Sequence, residues 1–563
     1  MRHSSQLRFA RIAYTALAAS VCVAMPMLVG CSKPGNSSPN FRLNTQNEDR
    51  DRYNSNVGTP EEKTLKETVY IPGREYVANA LVAMFGTPDQ PYVFRESGLD
   101  LKKIRMASGP VGGLTKQAQD AEIKALVDRL VDLKKDLEKL ETAAKDSAAK
   151  AAPADAAVKA AQPRLATART NKNDAEVAAI EKELAVHKPV LDAKAADAAA
   201  VTLHKNEIDD LDFQIKSYGV AQKGLYRQHC SHCHGTTGDG AGPTALFLTP
   251  YPRDYRQGKF KFKATERDAK PTDEDLRRIL VDGIPDTAMP TVGLLPSDEI
   301  DALIEYVKYL SIRGQVEQAI KDKIAGDEKV PDPAKGGGRA MLVSEILQPI
   351  VDEWTSAKEK TIVPTAGSYK PFDDHEKWRK AGEELFLGNT AKCYSCHGVT
   401  GLGDGRKATE PLFDDWNKDK KFAANRAAIA AALAAGKPEE ATRLTHIMES
   451  WDLPEQQQKP RNLRLNRLRF GRAPIDIYRR IYAGINGTEM PGAGKPGAPN
   501  NPEKKLTEEQ YWQLVDYVLG LPYFQEHGKL PSAGGEAHPA PAGHAATTPA
   551  VHGPAKVAAS GGE

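Results

Sequence analysis

Ile123, Leu126, Leu130, Leu133, Leu137 and Leu140 recur at alternating intervals of three and four. That spacing lines one face of a helix and makes a heptad seam. Leu184, Leu191, Val201, Ile208, Leu211 and Ile215 predict a returning arm, with Pro153 and Pro163 marking the reversal. Residues 115–212 therefore read as an antiparallel helical hairpin, and an oligomerising coiled coil fits the same seam. Two more amphipathic helices are expected around Leu303, Tyr306, Val307 and Leu310, and around Leu514, Tyr517, Val518 and Leu521. Thr507 and Gln510 supply a capping box for the second. Residues 59–114 read as a partly helical segment, with a helix ended by Gly86-Thr87-Pro88. Residues 313–371 read as a helical linker interrupted by Pro331, Pro333 and three glycines.

Composition changes this picture at the ends. Of the 60 residues from 141 to 200, 23 are alanine, which suits close helix packing in the hairpin. The tail, 528–563, has too few large apolar residues to offset its chain entropy and is expected to be disordered. Lys+Arg 77 against Asp+Glu 75 leaves no basic footprint of the kind a nucleic-acid binder needs, so no nucleic-acid partner is expected. At the N-terminus Arg2, Arg8 and Arg11 precede an uncharged run from Ile12 to Leu28, then Val29-Gly30-Cys31. This reads as an export leader, residues 1–30. Leu28-Val29-Gly30-Cys31 resembles the lipobox of bacterial lipoproteins, which implies cleavage before Cys31, a lipid on its sulfur, and residues 31–58 as a flexible tether. An uncleaved anchor helix is the alternative. Either way the chain is expected at the periplasm-facing side of the envelope, on a membrane.

Apart from Cys22 within the leader, the remaining cysteines come in two pairs. Cys230-Ser231-His232-Cys233-His234 and Cys393-Tyr394-Ser395-Cys396-His397 are both CxxCH, the attachment signature of c-type haem. Two sulfurs on one helical turn can each form a thioether to one porphyrin, and the following histidine meets the iron. A zinc site also uses paired cysteines, but it requires no histidine after each pair and no distant methionine.

Methionines follow in a repeated context: Gly283-Ile284-Pro285-Asp286-Thr287-Ala288-Met289-Pro290 and Gly484-Ile485-Asn486-Gly487-Thr488-Glu489-Met490-Pro491 are identical at five of eight positions. Both follow a helix containing Arg-Arg-Ile, at Arg277 and at Arg479. Glycine-rich segments follow both haem motifs, and Pro252-Arg253-Asp254 resembles Pro460-Arg461-Asn462. The histidine-to-methionine separation is 55 residues in the first copy and 93 in the second, which carries an Ala-rich insertion between Lys407 and Lys459. Each copy resembles a class I cytochrome c domain. Tyr226, four residues before Cys230, fits that family; Phe386, seven before Cys393, departs from it.

The resemblance implies an all-α fold: two class I cytochrome c domains, 213–312 and 372–527, with the helical hairpin inserted before the first. It implies two covalent haems c, bound through Cys230, Cys233, Cys393 and Cys396, with His234 and Met289 on one iron and His397 and Met490 on the other. His446 and Met448 compete with Met490 for the sixth position. Arg253 and Arg461 are candidate partners of the haem propionates, and Lys259-Phe260-Lys261-Phe262-Lys263 is either a docking patch or a wall of the haem crevice. The function implied is electron transfer between redox proteins, from a quinol-oxidising complex to a terminal oxidase or other acceptor. A di-haem peroxidase and a subunit of a larger respiratory complex are the alternatives.

Overall fold

The computed structural model describes residues 71–325, 338–369, 375–406, 412–413, 429–438, 441, 456–497 and 506–523. The leader, Cys31, the tether, the tail, His446 and Met448 lie outside the described residues. Among the described residues no helix is long and apolar enough to cross a membrane. The fold is all-α; among the described residues the strands form only a two-residue ladder, β1 (Leu412–Phe413) antiparallel to β2 (Gln457–Gln458). That ladder joins the two ends of the insertion in the second cytochrome copy.

The described residues begin with two helices, α1 (Ile71–Phe85) and α2 (Leu101–Ala107). They are followed by a long arm, α3 (Lys116–Thr170), and a return in two pieces, α4 (Asp174–Ala185) and α5 (Lys188–Ser217). Arg129 pairs with Glu207, Lys205 with Glu141 at 2.7 Å, Ser147 with Asp197, and Arg164 with Glu183 at 3.3 Å, so the two arms run antiparallel. The leucines of the seam are half-buried between exposed neighbours. Further out, Ala151, Ala154, Ala161 and Ala168 are buried, where a methyl group lets two helix backbones approach.

Pro153 and Pro163 do not make the reversal; both sit inside α3, on its exposed face. The chain turns at Asn171–Asn173, where Lys172 adopts φ +52° and the Asn173 side chain accepts the Glu176 amide at 3.2 Å to cap α4. Proline removes one helical donor, which is tolerated at a solvated face. A left-handed residue followed by an N-cap ends one helix and starts the next.

The first cytochrome copy contains α6 (Leu225–His229), α7 (Ser231–His234), α8 (Asp273–Asp282) and α9 (Ser297–Ala325). Leu303, Tyr306, Val307 and Leu310 are all buried, and α9 continues past residue 312 with Val316 and Ile320 also buried. Val77, Leu81, Met84, Phe85 and Ile104 from α1 and α2 share this core, with Leu342, Ile346 and Trp354 from the following segment. The segment before the hairpin thus packs on the back of the first cytochrome copy. At the hairpin root the Arg105 guanidinium lies 3.3 Å from the centre of the Tyr218 ring, and buried Asp210 pairs with Arg339.

The second copy contains α10 (His375–Leu387), α11 (Tyr394–His397), α12 (Pro474–Ala483) and α13 (Glu508–Gly520). Phe386 reaches its core despite its distance from Cys393: it is buried, 5.2 Å from the Tyr517 ring. The predicted capping box is formed, Gln510 N to Thr507 Oγ1 at 3.3 Å and Thr507 N to Gln510 Oε1 at 2.9 Å.

Candidate functional site: two haem-binding half-sites facing each other

Each CxxCH motif is one helical turn closed on itself. The amide of His234 donates to the Cys230 carbonyl and that of His397 to the Cys393 carbonyl, both at 2.9 Å. The glycine-rich segments then fold back identically. Gly240 donates to the His234 carbonyl and Gly242 to that of Cys233; Gly403 and Gly405 repeat both bonds with His397 and Cys396. The structure therefore aligns Gly235–Gly242 with Gly398–Gly405 without a gap.

The imidazoles are oriented alike. His234 Nδ1 lies 3.1 Å from the Arg253 carbonyl oxygen and His397 Nδ1 lies 3.0 Å from that of Arg461. A carbonyl only accepts, so Nδ1 carries the proton and Nε2 keeps its lone pair for a metal. Tyr255 stacks on His234 with ring centres 4.6 Å apart; Leu463 takes the corresponding place in the second copy, its amide bonding Gly401 as that of Tyr255 bonds Gly238. Burial pushes the His234 imidazole down to about 4 and lowers that of His397 as well. Burial also pushes the Cys230 thiol up to about 12 and that of Cys393 up to about 11. The pockets thus favour uncharged donors, neutral imidazole and neutral sulfur, which suits thioethers and a coordinated ring.

The methionine loops are the second repeated device. Thr287 Oγ1 donates to the Ile284 carbonyl at 2.8 Å and accepts the Met289 amide at 3.1 Å; Thr488 Oγ1 does the same with Ile485 at 2.9 Å and Met490 at 3.2 Å. Ile284 and Ile485 donate back to the Met289 and Met490 carbonyls. Gly283 and Gly484, at φ +66° and +68°, begin these loops where a Cβ would collide with the methionine carbonyl. The threonine repeated in both octapeptides thus ties the methionine amide to the start of its loop. In the first copy Cys230, Cys233, His234 and Met289 line one apolar cavity, together with Phe260 and Leu280.

That cavity has one lining residue from the other copy, Arg469. The two copies meet about a local twofold. Phe262 and Phe470, each ten residues after the matching proline, stack with ring centres 6.0 Å apart. Arg461 of the second copy pairs with Asp286 in the methionine loop of the first. Arg253 of the first copy lies beside Gly487, the position equivalent to Asp286. Arg278 on α8 pairs through both terminal nitrogens with Asp476 on α12, at 2.7 and 2.9 Å.

These contacts bear on three expectations and correct the last of them. Arg253 and Arg461 reach across to the partner copy's methionine loop. Of the two readings of the Lys259–Lys263 segment, the crevice wall is the one the structure shows: Phe260, Lys261 and Phe262 line the cavity, Phe260, Phe262 and Lys263 are buried, and Phe262 packs on the second copy. The duplicated helices align on Asp275 and Asp476, both of which accept the amide of the residue starting the helix, at 3.1 and 3.2 Å. Arg278 therefore corresponds to Arg479, one position away from the Arg-Arg-Ile alignment.

Two CxxCH turns, each with an oriented histidine and a methionine loop of the same build, define a di-haem c-type cytochrome. Comparison with known proteins agrees. Residues 221–307 match the family model for cytochrome c oxidase, cbb3-type, subunit III, and residues 380–522 match that for cytochrome c. The chain carries two cytochrome c domains and two covalently bound c-type haems. It has no match among curated proteins. Among solved structures, a chain of the reducing HAO-like protein complex of Kuenenia stuttgartiensis is 22% identical, over 53% of this chain and 93% of that one, with a TM-score of 0.33. A likeness that loose bears on neither fold nor role.

Proposed function

We propose that the chain is a two-haem electron relay of a bacterial cell envelope. It is exported by its leader, held on a membrane by lipid at Cys31, and passes electrons from a quinol-oxidising complex to a terminal oxidase or another acceptor. In this reading Cys230, Cys233, Cys393 and Cys396 carry the thioether links. His234 and Met289 ligate one iron, and His397 and Met490 the other. Each haem, when bound, supplies a reversible one-electron couple whose potential a thioether ligand raises.

The observation that carries the reading is that both methionine loops are built the same way and pinned by the same threonine bonds. Met289 and Met490 would complete the ligand sets of the two irons, which suits electron transfer and would leave no open iron for peroxide. The contact between the copies supports a relay, because Arg461, whose carbonyl orients His397 of the second copy, pairs with Asp286 in the methionine loop of the first. Potentiometric titration followed by haem absorbance tests it. Two high-potential transitions are expected. A single low-potential transition, or peroxide-dependent oxidation of a reduced donor, overturns it in favour of a peroxidase. Cys31→Ser should release the haem-loaded protein from membranes; retention after leader cleavage overturns the lipid tether.

A further inference from the structure

Arg267 belongs to the first cytochrome domain, on the segment between Phe262 and α8, yet its guanidinium serves the second. Nη1 donates to the Met490 carbonyl at 2.8 Å and reaches that of Ala483 at 3.4 Å, while Nη2 reaches that of Thr488 at 3.3 Å. These oxygens lie at the end of α12 and along the loop that presents Met490. The last carbonyls of a helix lack partners within it and carry the negative end of its dipole. A forked cation is what that end calls for, and arginine reaches several oxygens at once where lysine offers a point charge.

Gly484 makes room for it. A Cβ there would stand 2.5 Å from Arg267 Nη1 and equally close to the Met490 carbonyl oxygen. In the first domain the contact falls elsewhere on the loop: the second domain holds Asp286, through Arg461 at its side chain and Arg469 Nη2 at its carbonyl at 3.3 Å. The two loops are thus each gripped from the other domain, by different atoms.

We propose that Arg267 is a positioning residue acting in trans, holding the Met490 loop closed so that ligation of the second iron depends on the docked first domain. This rests on the reading of Met490 as the axial ligand. The bond to the Met490 carbonyl is charge-assisted. Its loss should shift loop closure about ten- to a hundredfold, the equivalent of about 1.4–2.8 kcal/mol.

The test uses the full-length, haem-loaded protein with imidazole as the probe. Arg267→Ala should let imidazole displace the sixth ligand of one haem about ten- to a hundredfold more readily. It should also lower that haem's midpoint potential and weaken its thioether-to-iron charge-transfer absorption, leaving the other haem as in the wild type. Arg267→Lys should recover only part of the effect. If Arg267→Ala disturbs haem loading, Arg267→Lys, which keeps the charge, carries the same readings. Met490→His identifies which haem is the second. If Met490→His changes neither potential nor absorption, the ligand reading fails. If it changes both while the Arg267 variants leave imidazole binding unaltered or shift both haems alike, the clamp fails and the ligand reading stands.

Discussion

Replacing Asp476 with alanine should cost about 3 kcal/mol, most of it at the contact between the two cytochrome domains. The Asp476 side chain is 3% exposed. It accepts from Arg278 at 2.7 and 2.9 Å and from the Ala473 amide at 3.2 Å. Breaking a fully buried pair from one side costs roughly 3–5 kcal/mol. The Arg278 side chain is 34% exposed and can recover water, which reduces this to about 2 kcal/mol. The lost helix start adds about 1 kcal/mol. Arg480 lies nearby, and burial already lowers its guanidinium to about 10; the Asp476 charge opposes that shift. Arg278→Ala should cost about 2 kcal/mol, including its contact 4.6 Å from the centre of the Phe470 ring. The double variant should then be little worse than Asp476→Ala, a coupling of about 1.5–2 kcal/mol. The assay is urea unfolding of the haem-loaded protein, followed by haem absorbance and far-ultraviolet dichroism. Because two domains need not unfold together, a weakened contact should also separate the two transitions. A coupling below about 0.5 kcal/mol would refute the reasoning, since the pair would then be no better than a solvated surface ion pair.

Four further outcomes follow from the sites and their surroundings. Thr287→Val and Thr488→Val each remove about 1–2 kcal/mol of loop bonding, so each should make imidazole binding about tenfold tighter at its own haem; equal shifts at both haems would refute the assignment. Burial lowers the Lys263 ammonium to about 8 from 10.5, so its charge penalises the native state below about pH 8 and the penalty fades as pH rises towards 10.5. Lys263→Met should therefore stabilise the protein at pH 7, by about 1–2 kcal/mol once the lost bonds to Thr265 and to the Glu266 carbonyl are counted, with the advantage shrinking between pH 8 and 10.5; a constant advantage would refute it. Mass spectrometry should find two haems that acid acetone does not extract, and one after Cys393→Ala with Cys396→Ala; zinc in their place would refute the haem reading. Shortening the hairpin by residues 130–200, which retains Arg105, Glu122, Asp210 and Tyr218 at its root, should leave both haem spectra unchanged, and loss of the first haem would refute its independence.

The CxxCH turns and the Gly-Ile-x-x-Thr-x-Met-Pro loops were legible because each is a contiguous piece of chain. Residue spacing alone puts two sulfurs on one turn, or a threonine hydroxyl within reach of an amide two residues on. The helices around Leu303 and Leu514 were legible for the same reason, through their apolar period. Local rules also misled. Prolines suggested a reversal at 153 and 163, but exposed positions on a long helix tolerate them, and the turn falls at Asn171–Asn173.

What only the tertiary structure decided is everything that spans the two copies. Arg267 and Met490 are 223 residues apart, Arg278 and Asp476 198, and Arg461 and Asp286 175. No periodicity links such positions, and nothing near Arg267, Arg278 or Asp476 along the chain names its partner. The sequence by itself determined the haem motifs, the duplication and the helical character, because these depend on neighbours along the chain. Which arginine grips which methionine loop depends on how two folded surfaces dock, and that is settled only when Phe262 meets Phe470 and the charges around them must find partners out of water.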